Sequence, residues 1–167
     1  MIPETVKAAL IEALSLLPSN MDSIQARVQL LATGLQESRL THRYQIIDGG
    51  GKGPARGLLQ FERGGGVKGV MTHAATKQHA ERIAELRGVP FTAQDIWTRL
   101  EFDDVLAFAF GRLLYWADPK SLPPLGNPEA AWDCYISAWR PGKPHRRTWD
   151  AFYNAALLSA DRRSAAR

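Results

Sequence analysis

A single cysteine, Cys134, among 167 residues excludes an internal disulfide framework and any zinc site built from several thiolates. No apolar run reaches the roughly 20 residues that a membrane-spanning helix requires. The longest, Val105 to Trp116, is too short and is flanked wrongly for a span. The opening Met1-Ile2-Pro3-Glu4 has no basic patch leading into an apolar block, so no signal peptide is expected. Glycine-rich stretches occur, but none ends in Gly-Lys-Ser/Thr after a strand, which leaves a phosphate loop unsupported. His73 and His79 are six apart and would not share a helix face, and no third ligand completes a metal site. Neither a metal nor a cofactor is expected. The positive residues are scattered and match no nucleic-acid-binding motif.

What is present is ordinary globular composition: 45% hydrophobic and 23% charged residues, enough for one domain over 1–167 with its own core. The net charge of +4 favours an anionic partner, for which nucleic acid, anionic lipid and peptidoglycan all qualify. Part of that charge lies in the tail Arg162 to Arg167, expected to fray.

Helical spacing of Val6, Leu10, Ala13, Leu14 and Leu17 predicts a first helix, broken at Pro18. Asp22 or Ser23 can cap a second helix that runs to Ser38. Tyr44–Asp48 and Gly57–Phe61 read as the two strands of a small hairpin, turned by the glycines and proline of 49–54. Helix is expected over Val67–Gly88, broken near Thr72-His73. Thr92 should cap the helix carrying Ile96, Trp97 and Leu100, and Val105–Trp116 should form the central core helix. The proline-rich 118–128 is a loop. Asn127-Pro128 starts a helix with Trp132, Tyr135 and Trp139, and Thr148 can cap the last. The fold class is therefore α+β, predominantly α-helical, with one small β-hairpin.

The second helix holds the chemistry-bearing candidate. No formal charge separates Arg27 from Glu37. Ala26, Leu30, Thr33 and Glu37 share one face and Ile24, Val28, Leu31 and Leu35 another, leaving Gln25, Gln29 and Gln36 as the wettable side. Glu37 thus emerges on a stripe of small and apolar groups. Either it caps a helix end in water, or it is held dry enough to stay protonated near neutral pH and serve as a general acid.

Glu37-Ser38, then Gly57-Leu58-Leu59-Gln60, then Tyr135 on a late helix, resemble the three motifs of soluble lytic transglycosylases and goose-type lysozymes. The resemblance covers roughly residues 24 to 145. Leu59 stands where those families usually have Met, and Cys134-Tyr135-Ile136 lacks their Asn. It implies a lysozyme-like fold and cleavage of the N-acetylmuramic acid to N-acetylglucosamine bond of peptidoglycan, in the manner of phage endolysins or virion-associated lysins. It further implies that Glu37 protonates the glycosidic oxygen. Ser38 would orient Glu37 or the substrate's N-acetyl group, Gln60 would bond the sugar, and the Tyr135 hydroxyl would set the carboxyl's position. Tyr135 reads equally as a core tyrosine.

Hydrolysis needs a second carboxylate, and Glu62 and Asp48 are the candidates. Strand alternation would put Glu62 and Gln60 on one face. Without such a carboxylate, the sugar's own 6-hydroxyl can close the intermediate as an anhydro product. Trp139 or Trp132 could line a glycan cleft, whereas Trp97 and Trp116 read as core. The expected partner is the peptidoglycan glycan strand and not nucleic acid, and the expected state is a monomer. Such an enzyme would be made in the bacterial cytoplasm and reach the periplasm or cell wall through a pore or inside a particle. The rival reading is a non-catalytic basic module binding nucleic acid or cell-wall glycan on a lysozyme-like scaffold.

Overall fold

The computed structural model describes residues 1–161; the tail from Arg162 to Arg167, and the expectation that it frays, lie outside them. Helix α1 spans Glu4–Ser15, and after a short 3-10 turn α2 runs Ile24–Ser38. Three strands follow: β1 (Tyr44–Ile46), β2 (Lys52–Arg56) and β3 (Phe61–Glu62). A wide helical turn over Arg63–Val67 leads into α3 (Lys68–Thr72) and α4 (Lys77–Leu86). Four more helices complete the described chain: α5 (Ala93–Leu100), α6 (Asp104–Trp116), α7 (Pro128–Trp139) and α8 (Arg146–Asp161). No helix among the described residues is long and apolar enough to cross a membrane.

Helix α6 is the hub. Every residue from Val105 to Leu113 is buried, as its lack of a polar face requires. Asp103 starts it by accepting the Leu106 N–H at 2.9 Å. Helix α1 packs along α6, and α2 packs chiefly against α8. Two further caps form as read: Thr92 accepts from Asp95 N, and Asn127 from Ala130 N. The last does not. Helix α8 begins at Arg146, so Thr148 lies inside it, and its hydroxyl donates to Gln36 Oε1 and the His145 carbonyl at 3.0 Å each.

The small sheet is antiparallel in the order β1-β2-β3. The hairpin is therefore β1 with β2, and the segment expected to be its return strand starts a second, tighter turn. Ion pairs clamp the sheet to the α5–α6 corner. Glu101 takes Lys52 at 2.7 Å and the buried Arg56 at 3.5 Å, and Asp104 takes Arg43 through two bonds. Arg56 also lies 4.3 Å over the Trp97 ring, so a buried guanidinium is satisfied on both its edge and its face. The three-stranded piece is too small to stand alone, and this corner is what holds it.

Candidate active site

Ser23 caps α2 by accepting the Ala26 N–H at 3.1 Å. From there the helix is enclosed nearly all round. Gln29 and Gln36, read from the sequence as wettable, are buried, because neighbouring helices bring polar atoms to them. Gln29 donates to the Tyr115 hydroxyl at 3.1 Å and to the Ala131 carbonyl at 2.9 Å. Gln36 donates to the His145 carbonyl at 3.0 Å. These amides satisfy main chain and hydroxyl groups that would otherwise be buried without partners. The helix stops where Arg39 enters the left-handed region (φ 59°) and the Leu40 N–H returns to the Gly34 carbonyl at 3.2 Å.

Glu37 sits in the last turn of α2, half-buried. Its Oε1 accepts the Tyr135 hydroxyl at 2.5 Å. Tyr135 is buried on α7 and locked by aromatic neighbours: Trp149 stacks on it at 5.1 Å with a 15° interplanar angle, and Trp132 leans against it at 5.3 Å. Desolvation is the main force on the Glu37 carboxyl and raises it from 4.5 to about 7, with the nearby Glu62 charge pushing the same way. The Tyr135 bond opposes both, since it favours the carboxylate. The negative end of the α2 dipole adds to the cost of ionisation. Burial and the Glu37 charge together drive the Tyr135 phenol far above its ordinary range, so it remains a neutral donor.

The Gly57-Leu58-Leu59-Gln60 segment is a tight turn between β2 and β3, which corrects the expected strand. The Gln60 N–H closes on the Gly57 carbonyl at 3.0 Å, and Gln60 itself has φ 52°. Gly57 is obligatory there: its φ is 76°, and a Cβ would lie 2.3 Å from the Leu100 carbonyl oxygen. Leu58 and Leu59 are fully buried and anchor the turn in the core. Leu59 fills the hollow above Gly111 of α6, where a Cβ would come within 2.4 Å of it.

Ser38 and Trp139 lie at this turn in a role that the sequence did not reveal. The buried Ser38 hydroxyl donates to the Leu58 carbonyl at 2.6 Å and accepts the Leu40 N–H at 3.1 Å. The Trp139 indole donates to the Leu59 carbonyl at 2.9 Å while its ring packs 4.8 Å from Tyr115 and 5.8 Å from Phe61. Two consecutive carbonyls of the turn are thus held by the ends of α2 and α7, the same two ends that carry Glu37 and, one turn earlier, Tyr135. The Ser38 hydroxyl is occupied by main chain and does not orient Glu37. The Trp139 indole N–H is likewise committed, although its ring is only half-buried.

Gln60 is half-buried, and its amide donates back to the Gly57 carbonyl at 2.9 Å. Glu62 is exposed on β3. Because Gln60 is in the turn before β3, strand alternation does not relate it to Glu62, contrary to the expected shared face. What links Glu62 to the site is its charge, which Glu37 feels. Asp48 is exposed in the loop joining β1 and β2. Trp132, the other proposed cleft aromatic, is half-buried between Tyr135, Trp149 and the Arg146 guanidinium. Trp97 and Trp116, read as core, are half-buried, and the fully buried tryptophan is Trp149.

The arrangement presents a carboxyl that is partly protonated near neutral pH, fixed through one oxygen and backed by a rigid turn. Comparison with protein-family models, curated proteins and solved structures gives no match to the chain.

Proposed function

We propose that this chain is a muralytic glycosidase on a lysozyme-like fold, cleaving the N-acetylmuramic acid to N-acetylglucosamine β-1,4 bond of peptidoglycan by general acid catalysis. The observation that carries the reading is Glu37: a carboxyl raised to about 7 by burial and held at 2.5 Å by a buried tyrosine. An acid with a pKa near the working pH is suited to protonating a poor leaving oxygen, because it is available as acid and strong enough to give its proton. The Tyr135 hydroxyl occupies Oε1, which leaves Oε2 to meet the glycosidic oxygen.

In the first step the Glu37 proton passes to that oxygen as the C1–O bond breaks. The sugar is left with oxocarbenium character and Glu37 as carboxylate. Water, or the sugar's own 6-hydroxyl, then adds to C1 and returns a proton to Glu37. Glu62, whose charge adds to the rise of the Glu37 carboxyl, is the carboxylate we assign to stabilising the cation or orienting water. The half-buried ring of Trp139 is the aromatic we assign to stacking on a sugar. The substrate lies outside the cytoplasm, so the enzyme would reach it through a membrane pore or inside a particle.

The test is mass spectrometry of fragments released from purified peptidoglycan. The wild-type protein should release disaccharide-peptides, and Glu37→Gln should lower the rate about a hundredfold or more. Equal release by both proteins would overturn the proposal. The same spectra separate a hydrolysed from an anhydro product by the mass of one water.

A further inference from the structure

A concave site lies at the end of α2 away from Glu37. It is a groove of about 610 Å³, within the range of small-ligand sites, formed by the start of α2, the end of α6 and the 118–122 loop. Ser23, Gln25, Arg112, Trp116, Lys120 and Leu122 are among its walls. Gln25 and Glu37 are twelve residues apart on one helix, which at 1.5 Å per residue puts the groove ~18 Å from the acid along the helix axis.

Arg112 makes this groove chemically unusual. It is 5% exposed, yet it forms no ion pair among the described residues. Its Nε donates to the Met21 carbonyl at 2.7 Å, and its guanidinium lies 5.2 Å from the centre of the Trp116 ring. Asp22, the acid whose charge it feels, is engaged by Arg27 at 2.8 and 2.7 Å. The terminal nitrogens of Arg112 bond no described group. No fully buried side-chain N or O atom among the described residues lacks a partner either, so these nitrogens keep contact with solvent, and Arg112 is one of the groove's walls. A buried guanidinium with an open fork is matched by a carboxylate. The first-turn N–H groups of α2 add positive potential at the same place, since Ser23 caps only one of them.

The groove also contains Asp118. Its Oδ1 accepts the Lys120 N–H at 2.9 Å. With Arg112 and Lys120 positive and Asp118 negative, a dianion is a poor fit. A carboxylate that carries an ammonium group nearby is a good one, with the Trp116 face and Leu122 covering the methylenes between.

We propose that this groove binds the amino-acid end of a peptide, its carboxylate on Arg112 and Lys120 and its ammonium toward Asp118. Diamino-acid ends of this kind occur on the peptide stems of bacterial cell wall, so the assignment deepens the function proposed above and rests on it. The groove would grip the stem while Glu37 acts on the glycan.

Titration of the intact protein with small probes, read by the NMR shift of the Trp116 indole N–H, tests this without turnover. Diaminopimelate should give a saturable shift at a concentration several-fold lower than pimelate, and cadaverine should give none. Lys120→Ala, at an exposed site, should weaken diaminopimelate about threefold. Arg112→Lys, which keeps charge but loses the fork, should weaken it about tenfold. Asp118→Asn should abolish the advantage over pimelate. The site is refuted if neither acid gives a saturable shift, if both basic-residue variants bind as the wild type does, or if cadaverine binds as tightly as diaminopimelate. A failed titration beside intact peptidoglycan cleavage removes the groove alone, whereas failed cleavage beside a successful titration removes the glycosidase and leaves a peptide-binding site.

Discussion

Replacing Tyr135 by Phe removes one hydroxyl and keeps the ring that stacks on Trp149, so the helix packing survives and the change is confined to Glu37. The lost bond is a 2.5 Å donation to the carboxyl, and it favours the charged form. A hydrogen bond to a charged group is worth about 1.5 to 3 kcal/mol net. At ~1.36 kcal/mol per pKa unit that is about one to two units, and partial replacement by water places the expected shift near the lower figure. The Glu37 acid should therefore move from about 7 to roughly 8. In the wild-type protein the acid is half protonated near pH 7 and roughly one-tenth protonated a unit higher, so activity should fall on the alkaline side with a midpoint near 7. In Tyr135→Phe the midpoint should move up by about one unit, while the plateau at low pH drops about tenfold because the carboxyl is no longer aimed. Initial rates of peptidoglycan clearing across pH 5 to 9 at constant ionic strength would show both effects. An unmoved midpoint, or one that moves down, would refute the role assigned to the tyrosine.

Three further outcomes follow from the same geometry. The folded-state pKa of Glu37 is raised, so its contribution to stability is fully present below its ordinary 4.5 and is lost as pH rises through about 7. Glu37→Gln should then gain up to ~3 kcal/mol over the wild type at pH 8 and little at pH 4, readable by thermal melts at each pH. Glu62→Gln removes a charge that raises Glu37, so the alkaline midpoint of activity should move down, by less than the Tyr135→Phe shift; a rise would contradict the sign. Gly57→Ala forces a Cβ to within 2.3 Å of the Leu100 carbonyl at a φ of 76°, and should cost ~3 kcal/mol or more in urea melts, with activity falling as the turn is displaced.

The helical framework was legible because its signals are local. Thr92 and Asn127 cap where side-chain chemistry said they would, and α6 is buried all round as its lack of a polar face required. Gly57 to Gln60 misled because two buried leucines between polar residues look like a strand. The left-handed backbone at Gly57 and Gln60 depends on contacts with α5 and α6, which lie forty or more residues away. Gln29 and Gln36 misled for a similar reason: their partners, Tyr115, Ala131, His145 and Thr148, come from distant parts of the chain, so no periodicity could mark them as buried. Glu37 and Tyr135 were readable as candidates, but their direct bond spans 98 residues of chain and only the fold supplies it. The family resemblance assigns Ser38 to Glu37 or the N-acetyl group, and the affinity of sugars for aromatic rings suggests Trp139 for the cleft. Their donors instead go to Leu58 and Leu59, and no sequence signal distinguishes the two uses.

The most direct measurement is a carbon-13 NMR titration of the Glu37 side-chain carboxyl, assigned by comparison with Glu37→Gln. A midpoint of about 7, moving upward in Tyr135→Phe, is the expected result. A midpoint near the ordinary 4.5 would mean that the carboxyl is solvated and ionised at neutral pH, and the general-acid mechanism would fail with it.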